Sequence, residues 1–231
     1  MNHGRARINK RGHMMRTIPA IGVLLGALGL SPGSASASPD ATTIFHFTGR
    51  AGGTVLTDCL LTDPVGTHCR AVSIFAAEER VKDNGELFGG PFLNVFLFDV
   101  TIVADEPFFV AEEVGFGFAD DANVHINGFA GATASAANVA LCEQFECAPG
   151  AQESISVDVE WSGFGPIERS VQHDKFSDGI CWNNLHGTDS TRLATSAGTV
   201  DGIAWHQTLI PDLAPTLQSD GFGAVERCTL G

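Results

Sequence analysis

The sequence predicts an all-β fold, two packed sheets in a sandwich or jelly-roll-like arrangement, disulfide-stapled. Three observations predict it. Apolar and polar residues alternate with period two in short runs, and no long stretch has helical period. Twenty-seven glycines break those runs, as a fold of many turns requires. Six cysteines, Cys59, Cys69, Cys142, Cys147, Cys181 and Cys228, all follow an export-type leader, and an even count in an exported chain reads as a disulfide framework.

The leader comes first. Ile18 to Leu30 is an apolar core too short to span a bilayer, preceded by basic residues and followed by the small-residue site Ala35-Ser36-Ala37. Cleavage is expected after Ala37, giving a signal peptide over 1–37 and a single secreted domain over 38–231. Met14 or Met15 would serve as a start as well as Met1. No cysteine follows the apolar core to accept a lipid, and no second apolar run reaches spanning length, so neither a lipoprotein nor a membrane span is expected.

Strands are expected at roughly 42–49, 53–61, 69–80, 92–103, 108–118, 123–129, 132–141, 155–161, 167–173, 191–200, 203–210 and 222–230. Ile155 to Trp161 alternates most cleanly, placing Ile155, Val157, Val159 and Trp161 on a core face. Phe92 to Val103 is apolar on both faces and reads as a central strand covered on both sides. Asp201-Gly202 is a two-residue hairpin turn, which sets Gly198 opposite Trp205. Ala130 to Ala140 is alanine-rich and competes for helix, but Thr133, Val139 and the flanking strands favour β. Ser162 to Pro166 reads as a turn between strands. Of the cysteines, Cys59 and Cys69 flank the turn Asp63-Pro64-Val65-Gly66 and are expected to pair; Cys142 pairs with Cys147 and Cys181 with Cys228.

After Ala37, eight Lys and Arg face 27 Asp and Glu, an excess of nineteen negative charges. This acidic field repels phosphate backbones, so no nucleic-acid partner is expected. An extracellular partner, carbohydrate or protein, is expected instead. Exposed Trp182 and Trp205 would suit a sugar, whereas Trp161 belongs to a core face.

No motif announces an activity. The histidines show no paired metal spacing, and no Gly-x-Ser-x-Gly elbow or phosphate loop occurs. The expected role is therefore extracellular binding or structure. The alternative is a secreted hydrolase assembled from separate strands, with His173, Asp174, His186 and His206 as its suspects. A calcium-stabilised module is the third reading. Its ligands would come from Asp120, Asp121 and Asn123 or from the loop at Asp83, since Ca²⁺ takes six to eight oxygens from irregular loops.

Val157 to Arg169, followed by Asn184, Gly187-Thr188 and Ala194 to Val200, resembles a segment of a loose group of uncharacterised secreted bacterial proteins. The likeness spans residues 157–200. It implies a β-rich exported protein and carries no activity or catalytic residue with it.

Overall fold

The alternating runs pair as antiparallel strands in a computed structural model, which describes residues 42–60, 62–104, 109–142, 153–177, 181–207 and 213–228. Among the described residues eleven strands follow in chain order: β1 Thr42–Thr57, β2 His68–Asp83, β3 Glu86–Phe88, β4 Pro91–Ile102, β5 Phe109–Ala119, β6 Asn123–Asn127, β7 Gly131–Cys142, β8 Ser154–Ser177, β9 Cys181–Val200, β10 Ile203–Gln207 and β11 Thr216–Cys228. The fold is all-β and disulfide-stapled, as the alternation and the cysteines predict. All the strands join one antiparallel sheet, whose neighbours run β1, β2, β4, β5, β7, β8, β9, β11 and back to β1. The two packed layers are thus opposite walls of a sheet that closes on itself. Among the described residues β5 meets β7 through two opposed pairs, Phe116 with Cys142 and Gly117 with Leu141.

Period two decides which side chains fill the interior. Leu56, Val72, Ile74, Leu93, Val95, Val139, Val159, Trp161 and Leu217 are buried together. Trp161 is 1% exposed, and its indole Nε1 donates to the Gly53 carbonyl on the facing wall at 3.1 Å. A Cβ on Gly52 would come within 3.0 Å of that ring, so only glycine lets β1 approach so closely. β4 sends Leu93, Val95 and Leu97 inward, while outside Phe92 and Phe96 are half-buried against Phe75 and Phe118 and against Phe116. Its outer cover is this ladder of phenylalanines.

The hairpin at Asp201-Gly202 forms with positive φ at both residues and sets Trp205 opposite Gly198. β7 is a strand, as Thr133 and Val139 suggested. Cys59 bonds to Cys69 across the turn at 63–66, with Cα atoms 5.7 Å apart. Cys181 bonds to Cys228, directly opposed on β9 and β11. The expected partner of Cys142, Cys147, lies outside the described residues, as does the expected leader over 1–37. No described helix is long and apolar enough to cross a membrane.

Several expected breaks are absent. Ser162 to Pro166 is a register shift inside β8, with Gly165 at φ 73°, and the strand runs on to Ser177. β1 runs through Gly52-Gly53, and β9 begins ten residues earlier than expected, at Cys181. In β1 the two glycines read as a break because they carry no side chain, yet they are where the strand packs on Trp161; the additions to β8 and β9 have another cause. Beyond Trp161 and before Ala194 the strands leave the closed part of the sheet, both faces meet solvent, and the apolar alternation that marks a half-buried strand is lost.

Candidate functional site

β8, β9, β11, β1 and β2 outrun the closed part side by side, and their register is continuous there. Opposed residues of an antiparallel pair share a face. The face that lines the interior can therefore be followed outward, row by row. Its last interior row contains Leu217, Gly52 and Ala76. Two residues on come Arg169, Ser190, Ser219, Arg50 and Glu78. Then come Val171, Thr188, Gly221, Thr48 and Arg80, and after them His173, His186, Gly223, His46 and Lys82.

Seven of the eight lysines and arginines after Ala37 stand on this face: Arg50, Arg80, Lys82, Arg169, Lys175, Arg192 and Arg227. Three of the six histidines join them. One carboxylate shares the face, Glu78, and it accepts a hydrogen bond from the Ile126 amide at 3.2 Å. The reverse side of the same strands and of β3 carries no lysine or arginine and holds Glu79, Asp83, Glu86, Glu168, Asp174, Asp189, Asp220 and Glu226. Among the described residues only Arg70, at the other end of β2, forms ion pairs, with Asp99 and Glu153. Arg192 donates to the carbonyls of Gly165 and Phe129. The other six cations make no ion pair among the described residues, in a chain with 27 Asp and Glu.

A groove of about 410 Å³ opens on this face, lined by Thr48, Arg50, Glu78, Arg80, Thr188 and Ser219 and bordered also by Gly49 and Asp220, with Gly221 leaving it room. A Cβ on Gly221 would lie 2.8 Å from Thr188 Oγ1. Behind the groove, on the reverse side, Asp189, Asp220 and Glu79 follow one another in a single row with Gly49 before Glu79. Burial, then the charge and hydrogen bond of Asp189, push the Asp220 carboxyl up to about 6. Burial, then Asp220, also raise that of Glu79.

Of the hydrolase suspects, two meet. His173 and His186 are directly opposed, with ring centroids 4.3 Å apart and edge to face. Asp174 is the next residue on β8 and so points to the reverse side, where it accepts from Gln172 Nε2 at 2.6 Å. His206 lies opposite Thr57 of β1, eleven residues from His46 in the row of His186, or about 36 Å along an extended strand. No nucleophile and base come together in this arrangement.

The calcium suspects occupy two separate places. Asp120 and Asp121 are exposed between β5 and β6, and exposed Asn123 opens β6. Asp83 closes the β2–β3 hairpin around Asn84-Gly85, both at positive φ. Ala119 opposes Leu93 and Leu93 opposes Ala76, seven residues before Asp83, which separates the two places by about 23 Å along β2. The described groups of three or more metal-type ligands, Asp58 with Cys59 and Cys69 and Glu226 with Cys181 and Cys228, contain the cysteines of the two disulfides.

Compared with known proteins, the chain matches no family model, no curated protein and no solved structure. Sequence reasoning missed the cationic face because net charge hides it. The local signal was present: His46, Thr48 and Arg50, then Arg80 and Lys82, then Arg169, Val171, His173 and Lys175 recur at every second position. Three segments far apart in sequence each put their cations on one side of a strand. Only the register shows that it is the same side.

Proposed function

We propose that this chain is an exported binding domain, with no catalytic centre of its own, that takes an anionic extracellular ligand on the cationic face. One observation carries the reading: six cations without an acidic partner gather on a single face of a strongly acidic chain. Unpaired like charges held together repel one another, and stability alone would favour pairing them with the abundant carboxylates. A bound anion removes that repulsion. The hydrolase alternative lacks comparable support, since Asp174 and His206 stand away from the His173–His186 pair. The expectation against nucleic acid came from the net field, which still opposes a dense polyanion at long range.

Calorimetric titration with anionic polymers of several chemistries, against a neutral polymer, tests this reading at about 50 and 300 mM salt. At least one anion should bind, and binding should weaken at the higher salt as the exposed charges are screened. If no anion binds better than the neutral polymer at low salt, the reading fails.

A further inference from the structure

The cationic face also carries an aromatic ring and a floor of small polar groups, and the combination selects one ligand chemistry. Trp182 stands on this face beside Arg227, 40% exposed. A flat, amphipathic ring left open beside polar groups is a platform for the apolar side of a sugar ring. Asn184, Thr188, Ser190 and Ser219 share the face with Trp182 and supply donors and acceptors suited to hydroxyl partners. Gly221 and Gly223 keep the middle of the face low.

Spacing argues in the same direction. Along a strand the cations recur at two-residue steps, about 6.8 Å, and they form two rims. Arg169, His173 and Lys175 line β8; Arg50 on β1 stands three strand spacings or about 14 Å away, and Arg80 and Lys82 on β2 four, or about 19 Å. Such a sparse array matches a polymer with widely spaced charges. Duplex DNA places a charge every 1.7 Å or so and meets the long-range repulsion of the chain. An acidic peptide recognised by strand addition would pair along a sheet edge rather than lie across this face, whose floor offers hydroxyls and amides beside Val171, Val225 and Ile44.

We propose that this face binds an acidic oligosaccharide, its carboxylate or sulfate seated in the groove between Arg50 and Arg80 and a sugar ring further along stacked on Trp182. The inference rests on the reading of the face as an anion-binding surface. Paired guanidiniums suit planar or tetrahedral oxyanions, which accept two hydrogen bonds from each fork. Trp182 lies six residues from Thr188 in the groove, about 20 Å along β9, so a single sugar cannot reach both ends.

The test is calorimetric titration of the full oxidised protein with oligogalacturonate and with sulfated dextran fragments of matched length, which separates a carboxylate from a sulfate ester. Neutral dextran, polyaspartate and a single-stranded DNA oligomer are the competitors, and galacturonic acid is the short control. At least one acidic oligosaccharide should bind ten-fold or more tightly than every competitor and than the monosaccharide. Arg50→Gln and Arg80→Gln should each weaken it about ten-fold with an unchanged melting midpoint. Trp182→Ala should weaken the oligosaccharide several-fold while leaving the weak binding of inorganic sulfate unaltered. If polyaspartate or DNA binds as tightly as the saccharides, the carbohydrate inference is overturned and the anion-binding reading stands. If no anion binds at all, both fall.

Discussion

Leu217 and Ser219 are two residues apart on the same face of one strand, yet they belong to two differently built regions. At Leu217 the opposite wall of the closed sheet is close enough to bury the side chain completely. At Ser219 the facing wall has ended, and the same face opens on the groove beside Arg50. The change falls at the same level on β1, from Gly52 to Arg50, and on β2, from Ala76 to Glu78, and one row earlier on β9, from Ala194 to Arg192, which pairs with Leu217. Backbone pairing continues across the boundary without a shift in β1, β2, β9 and β11. The difference teaches that hydrogen-bonded pairing and core formation are separable. The closed region supplies the stability, and the open region is held in shape by pairing and by the Cys181–Cys228 disulfide, with its side chains left for a ligand.

The sharpest way to break this division is inside the closed region. Trp161→Ala removes the largest buried side chain and its hydrogen bond to Gly53, and should cost about 3–5 kcal/mol. Thermal melting should fall by roughly 6–20 °C. Anion binding, measured below the new midpoint, should be unchanged; a parallel loss of affinity would join the two regions that are separated here.

Next in size is the bond at the far end of the open region. Cys181 and Cys228 close a loop of 47 residues, for which chain entropy gives up to about 4 kcal/mol. Cys181→Ser with Cys228→Ser should lower the denaturant midpoint by less than that limit, because the distal strands contribute little burial. It should also speed amide exchange in 181–186 and 223–228 without touching 155–161. Uniformly faster exchange would mean that the disulfide supports the closed region too.

The smallest expected effect comes from the row behind the groove. Folding raises the Asp220 carboxyl from 3.8 to about 6, so the folded chain holds that proton more tightly than the unfolded chain. Stability from this group therefore falls as pH rises between about 4 and 6 and stays lower above. Asp220→Asn should stabilise the protein at pH 7 by on the order of 1 kcal/mol, after allowance for solvent screening of a half-exposed group, and should give no gain near pH 4. Melting midpoints at the two pH values check the sign; an equal gain at both would assign the effect to something other than the buried charge.

The closed region was legible in the sequence because burial writes period two into it. Ile155 to Trp161, the Asp201-Gly202 hairpin and the Cys59–Cys69 turn all follow from local pattern. The open region was half legible. Val171 and His173 read as strand, but Asn183 to Ser190 carries no apolar alternation because neither face is covered, and β3 is too short to show a period. The cationic face was hidden for a different reason. Its members come from β1, β2, β8, β9 and β11, and a net excess of acid masks a local excess of base until register assigns each residue to a side.

Amide hydrogen exchange of the oxidised protein with and without the tighter-binding of oligogalacturonate and sulfated dextran at saturation tests the central claim most directly. Protection is predicted over 167–175, 182–192, 44–50 and 78–82, the strands whose cations line the face, with little change in β10 or around Phe75, Phe92 and Phe118. Protection confined to those outer phenylalanines, or none at a concentration well above the ligand's effect on the melting midpoint, would contradict it.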